Sequence, residues 1–155
     1  MYQLSAEYYD AIYLAMKDYA AETNLLKQII FAHLQTDGKH LLDIACGTGL
    51  HLEQLQTDFQ VEGMDISAEM IEVARRRLPG IPLHVGDMAN FFLRNTYDVI
   101  TCLFSSIGYV RTVERLQRAA ECMADHLKPG GLLLVEPWFT PDMWHPNTPH
   151  IATVD

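Results

Sequence analysis

From Lys39 onward, short apolar runs alternate with amphipathic stretches, and that alternation predicts the fold. Apolar runs mark strands at residues 40–45, 61–66, 81–85, 97–104 and 132–136. The stretches between them predict helices over 50–56, over 67–77 with Ser67 as N-cap and Glu69 in the first turn, and over 113–127. Pro79-Gly80 breaks the second of these, and Lys128-Pro129-Gly130-Gly131 ends the third. Upstream, residues 1–36 read as helix in two segments with a break near Lys17-Asp18-Tyr19. In the second segment Leu25, Leu26, Ile29, Ile30 and Leu34 recur at helical spacing, and Asp37-Gly38 then marks a turn.

Strands alternating with helices imply right-handed crossovers and a parallel sheet covered on both faces. The runs LLDIA, YDVITCLF and LLLVE are almost uninterruptedly apolar, as doubly buried strands are. The expectation is an α/β fold built on a five-stranded parallel sheet. Three parts are expected: an N-terminal helical cap (1–36), an α/β core (37–137) and a Pro/Trp-rich tail (138–155).

Composition narrows the setting. The 155 residues are 49% hydrophobic and 20% charged, the profile of an ordinary globular domain. No apolar run is long enough to cross a bilayer, and the N-terminus lacks a signal-peptide pattern, so the cytoplasm is expected. Cys46, Cys102 and Cys122 are widely spaced and form no CxxC, which argues against a disulfide framework or a zinc site. His145 and His150, in a Pro-rich loop, are a poor metal pair, so no metal is expected. The net charge of −9 opposes binding to a phosphate backbone. The one dense basic cluster, Arg75-Arg76-Arg77, reads as a solvated face at a helix C-terminus.

The candidate chemistry lies in Leu42-Asp43-Ile44-Ala45-Cys46-Gly47-Thr48-Gly49-Leu50. An acid inside the first strand precedes two glycines in the strand-to-helix turn, where backbone can approach a ligand closely. Asp65 closes the second strand, where a carboxylate can accept both hydroxyls of a ribose. Asp87 closes the third, where it can face the amino edge of an adenine. One such acid is an ordinary cap; three at successive strand ends beside a glycine turn point to a nucleoside cofactor.

A dinucleotide fingerprint needs a third glycine where Leu52 stands, and an acid within the first strand suits a cationic ligand better than a pyrophosphate. S-adenosylmethionine fits, its ammonium facing Asp43. A dinucleotide-dependent oxidoreductase is the less favoured reading, and a methyltransferase acting on RNA or protein is opposed by the acidic charge.

The order DIACGTG, GMDIS, VGDM, YDVITCLFSS, LKPGGLLLVEP resembles the motif series of class I methyltransferases, and the resemblance implies their Rossmann-like fold with the sheet order 3-2-1-4-5. More narrowly, the chain is similar to the sugar N,N-dimethyltransferases of macrolide pathways, which dimethylate a dTDP-linked amino-hexose. The stretches carrying this are Tyr9-Asp10, Lys17-Asp18-Tyr19, ACGTG and HLE within 45–53, VEG and SAEM within 61–70, ARRR, HVGDM, TCLFSSIG at 101–108 and VEPW at 135–138.

The resemblance implies S-adenosylmethionine as cofactor and a small-molecule amine as acceptor, without nucleic acid or membrane. On the cofactor side it implies Asp43, Ala45, Gly47 and Gly49 at the methionine end and Asp65 at the ribose. Ile66, Asp87 and Met88 would lie around the adenine and Leu103 beneath the sulfonium, with Tyr9 and Tyr19 closing over the site. Tyr109 and Glu136 are the candidates for taking the amine proton, with Ser105 and Ser106 nearby; His51 is expected to help the following helix start. In the family, the position of Tyr109 is often histidine, a far stronger base near neutral pH. Family members also continue past the fifth strand into a lid and further strands. The resemblance therefore implies that about a third of the family's domain lies outside these residues, and the alternative reading is a truncated cofactor-binding domain without activity. An exposed fifth-strand edge would be covered by the tail or by a second copy of the chain.

Overall fold

The computed structural model describes Asp10 and residues 16–137. Asp18 caps the first described helix, α1 (Tyr19–His33), its side chain accepting from the Ala21 N–H, which is the break expected near Lys17-Asp18-Tyr19. There follow β1 (His40–Ile44), α2 (Leu50–Leu55), β2 (Gln60–Asp65), α3 (Ala68–Arg77), β3 (Leu83–Val85), β4 (Tyr97–Cys102), a 3₁₀ turn at Ser106–Val110, α4 (Val113–Asp125) and β5 (Leu127–Val135). The sheet runs β3-β2-β1-β4-β5, the order the family resemblance implies, with every pairing parallel, as the apolar runs predict.

Period-2 alternation sends successive side chains to opposite faces. Leu41, Val61, Val99 and Leu83 join Leu52, Leu55, Ile71, Ala74 and Ile30 in one core. Leu42, Ile44, Met64, Ile100 and Cys102 join Ala119, Met123 and Val110 in the other. Helices α1, α2 and α3 thus cover one face, and α4 with the 3₁₀ turn covers the second. Ile30 is fully buried, so α1 shares the core of the sheet.

The strands differ from the sequence reading mainly at their ends. β1 and β4 stop at Ile44 and Cys102 because Ala45, Phe104 and Ser105 take positive φ (58°, 54°, 56°) and turn the chain away from the sheet. The predicted helix over 113–127 ends earlier, at Asp125, and β5 begins at Leu127 rather than 132. Leu127 already pairs with Tyr97, and the next paired residue is Leu132 opposite Val99. Lys128-Pro129-Gly130-Gly131 is therefore a bulge within the strand, with Gly130 at φ +82° and Lys128 Nζ 2.8 Å from Asp98.

Gly63, in β2, marks the tightest packing: a Cβ there would lie 2.6 Å from Leu52 Cδ1, 2.8 Å from Leu83 Cδ2 and 2.9 Å from Cys46 Sγ. Gly63→Ala is expected to cost about 1–2 kcal/mol through overpacking. That lowers the melting temperature by roughly 3–6 °C in a thermal scan.

Candidate functional site

All five strands point their C-terminal ends to one rim, and the loops leaving β1, β2, β3 and β4 build two adjoining cavities there. The smaller, about 40 Å³, is lined by Asp43, Ala45, Gly47, Thr48, Tyr19, His51, Leu103 and Phe104, among others. The larger, about 540 Å³, is lined by Asp65, Ile66, Asp87, Met88, Tyr109 and Arg115, among others. Ala45, Gly47 and Ser106 border both, so the two form one groove over the β1 loop. Gly47 sits at φ +56° and a Cβ on it would meet nothing within 4 Å, so open groove lies beside its Cα. Gly49 is held at φ +82° as the N-cap of α2, where a Cβ would lie 2.8 Å from Leu78 Cδ1.

Asp43 lies at the floor of the small cavity, 2% exposed, accepting a 2.7 Å hydrogen bond from Thr101 Oγ1. Burial pushes its carboxyl up to about 7; the Thr101 hydroxyl opposes that and the neighbouring Asp65 charge adds to it. Asp65 knots two loops together: Oδ2 accepts from the Gly47 N–H and Oδ1 from the Ser67 N–H, both at 2.8 Å. Each oxygen has a second lone pair for a ligand hydroxyl. Asp87 accepts from the Ala89 N–H and is ion-paired to Arg115, whose Nη2 lies 2.9 and 2.8 Å from the two carboxylate oxygens. Arg115 first, then the Ala89 N–H, holds the Asp87 carboxyl below the usual carboxylate range.

The expected cofactor residues Asp43, Ala45, Gly47, Asp65, Ile66, Asp87, Met88, Leu103 and Tyr19 all line the groove, and Gly49 caps the helix behind it. Tyr9 lies outside the described residues. Of the proton-acceptor candidates, Tyr109 stands at the rim of the larger cavity, 76% exposed. Glu136 lines neither cavity; its Oε2 accepts from the Phe104 N–H at 2.7 Å, bracing the turn after β4. Ser106 lines both cavities, while Ser105 Oγ donates to the Pro137 carbonyl.

Two expectations are corrected. Arg77 is not part of a solvated face: it donates to the Thr48 carbonyl at 2.6 Å and is ion-paired to Asp10, which also accepts from Thr48 Oγ1. Arg75 likewise reaches back to the Leu83 carbonyl. His51 does more than open α2. It is buried against the small cavity, edge-on to Tyr19 at 4.9 Å and 3.2 Å from Glu22 Oε2, and burial lowers its pKa from the usual imidazole range. With Lys17 paired to Glu22 and set 4.1 Å over the Phe104 ring, these contacts fasten the start of α1 to the groove.

A parallel sheet in this order, a glycine loop after its central strand and acids on the three neighbouring strand ends define the Rossmann-like methyltransferase architecture. Residues 41–131 match the family described as a methyltransferase domain, and the chain belongs to that family. The chain is 45% identical over 88% of its length to a dTDP-4-amino-2,3,4,6-tetradeoxy-D-glucose N,N-dimethyltransferase of Saccharopolyspora spinosa, covering 55% of that protein. It is 41% identical over 92% of its length to a dTDP-3-amino-3,4,6-trideoxy-alpha-D-glucopyranose N,N-dimethyltransferase of Streptomyces venezuelae, covering 61% of it. Among solved structures, DesVI of Streptomyces venezuelae superposes with a TM-score of 0.87 at 40% identity, over 91% of this chain and 60% of that one. An amino pentose methyltransferase of Micromonospora echinaspora, solved with S-adenosylmethionine bound, gives 0.84 at 41% identity, over 88% and 58%. The chain thus spans between half and two thirds of the length of these relatives.

Proposed function

We propose that this protein binds S-adenosylmethionine and serves N-methylation of a small-molecule amine, a nucleotide-linked amino sugar. The observation that carries the reading is the single groove joining Asp43, the Gly47 turn, Asp65 and Asp87. The groove's chemistry fits the group at each end. The buried Asp43 carboxylate answers an ammonium, Asp65 has lone pairs for ribose hydroxyls, and Ile66 and Met88 offer apolar faces to a purine. Identities of 41–45% to dTDP-amino-sugar N,N-dimethyltransferases support the acceptor class.

Bound there, S-adenosylmethionine would supply an electrophilic methyl group to the amine, with S-adenosylhomocysteine as the leaving group. The chain's own work is alignment and exclusion of water. Leu103, 4% exposed, and Tyr19 wall the smaller cavity, the methionine end. The acceptor amine must be neutral to attack. Tyr109, on the groove rim, is the group assigned to accept its proton, whereas Glu136 lines neither cavity and braces the turn after β4. The cytoplasm, where nucleotide sugars are made, is the setting of this reading. Among the described residues no helix is long and apolar enough to cross a membrane. β5 is the outer strand of the described sheet, and a second copy of the chain pairing there is part of the same proposal.

The test uses S-adenosylmethionine labelled in its methyl group and a panel of dTDP-amino sugars. Labelled methylamino product, together with thermal stabilisation by S-adenosylhomocysteine and none by NAD, is the expected result. Stabilisation without transfer to any amino sugar removes the activity and leaves the cofactor site. Stabilisation by NAD alone overturns the whole reading.

A further inference from the structure

We infer that Arg115, at the mouth of the larger cavity, is a positioning residue that fixes the Asp87 carboxylate for recognition of a 6-aminopurine over a 6-oxopurine. The inference rests on the cofactor reading above and adds to it a residue no sequence motif indicated.

Asp87 follows the three-residue β3, on a chain segment held by only a few backbone bonds, so its carboxylate plane needs an external anchor. Arg115 provides one from across the cavity: a single Nη2 bridges both carboxylate oxygens, and the Ala89 N–H takes a further lone pair of Oδ1. What remains is one acceptor lone pair, on Oδ2, held in a fixed plane, which matches the N–H of an exocyclic amine and repels a carbonyl oxygen. Arg115 is the only Lys or Arg among the residues lining this cavity, where Asp65 and Glu69 add two further acids. Its charge therefore also keeps the Asp87 carboxylate ionised and acceptor-only.

The position of Arg115 carries its own argument. It stands in the first turn of α4, whose N-cap Thr112 accepts from the Arg115 N–H. A cation there opposes the helix dipole, and acids are the favoured occupants. The ion pair is partly exposed, 45% on the Arg115 side chain and 31% on Asp87, so it adds little to global stability. A residue that is locally unfavourable, globally dispensable and locked onto a groove carboxylate is best explained by what it does to that carboxylate.

The experiment measures dissociation constants of S-adenosylhomocysteine and S-inosylhomocysteine by calorimetry for the wild type, Arg115→Ala and Arg115→Lys. Circular dichroism confirms that each variant is folded. The wild type is expected to bind the adenosyl compound and reject the inosyl one, since a site built around a hydrogen-bonded group discriminates strongly against its loss. Arg115→Ala is expected to weaken adenosyl binding by about tenfold, the scale of one charge-assisted hydrogen bond, and to narrow the adenosyl-to-inosyl ratio. Arg115→Lys, which keeps the charge at the carboxylate, is expected to restore much of that ratio. An unchanged ratio in Arg115→Ala, with the wild type still binding, overturns the Arg115 inference alone. No binding of either compound by the wild type overturns the cofactor reading and this inference with it.

Discussion

Arg77→Met is expected to destabilise the protein by about 3 kcal/mol and to weaken the cofactor site with it. Asp10 is a buried carboxylate whose partners are the Arg77 guanidinium and the Thr48 hydroxyl. Methionine keeps much of the side-chain volume but leaves Asp10 with one neutral donor and strips the Thr48 carbonyl of its 2.6 Å partner. Breaking a buried ion pair from one side costs about 3–5 kcal/mol. Here the side chains retain 19% and 13% exposure, which places the effect at the lower end. For a chain of this size that is a fall of roughly 6–12 °C in melting temperature.

Asp10→Asn provides the companion measurement. It removes the charge that Arg77 neutralises, so the double substitution should cost clearly less than the sum of the two singles. Because Thr48 lies between Gly47 and Gly49, the same substitutions should also loosen the loop that borders the groove. A melting temperature within 2 °C of the wild type in Arg77→Met would show that the network contributes nothing.

Much of this site was legible before the fold was seen, for a physical reason. Parallel strands buried on both faces must be written as apolar runs, so an acid at the end of such a run stands out. Asp43, Asp65 and Asp87 all stood out in this way, and the parallel sheet brings their strand ends to one rim. Asp98 shows how far that signal reaches. It is an equally buried strand acid, but it sits at the opposite end of the sheet, satisfied by Thr36, the His40 N–H and Lys128. Position along the strand, near the start of β4 rather than at a C-terminal end, separates the two cases.

What periodicity could not show were pairings made across the fold. Arg77 meets Asp10 and Thr48, Arg115 meets Asp87, and His51 meets Glu22 and Tyr19. Each joins segments far apart in sequence, and nothing in local spacing distinguishes an arginine that reaches back from one that faces water. The bulge at Lys128–Gly131 was hidden differently. Pro-Gly-Gly reads as a chain break, and only the pairing of Leu127 with Tyr97 shows that the strand has already begun.

Ligand affinity is expected to rise steeply with pH up to about neutrality and then level, with Asp43 as the cause. Its carboxyl titrates near 7 in the fold against an ordinary 3.8, chiefly because burial penalises the charge. Between those two values the folded protein holds a proton that the unfolded chain releases. Stability of the ligand-free protein therefore falls as pH rises through that window, by on the order of 4 kcal/mol, and levels above it. An ammonium in the small cavity favours the ionised carboxylate and reverses the preference. Below pH 7 each unit of acidification then costs the ligand about tenfold in affinity, because a proton must first leave Asp43.

Calorimetric titration with S-adenosylhomocysteine between pH 5.5 and 8 reads this directly. Asp43→Asn should bind weakly with a flat profile, and its ligand-free stability should lose the decline seen in the wild type. Thr101→Val removes the hydroxyl that favours the ionised form, so the inflection should move to higher pH while the protein stays folded. A wild-type affinity that does not change across this range would mean that the Asp43 carboxylate does not meet the ligand's ammonium.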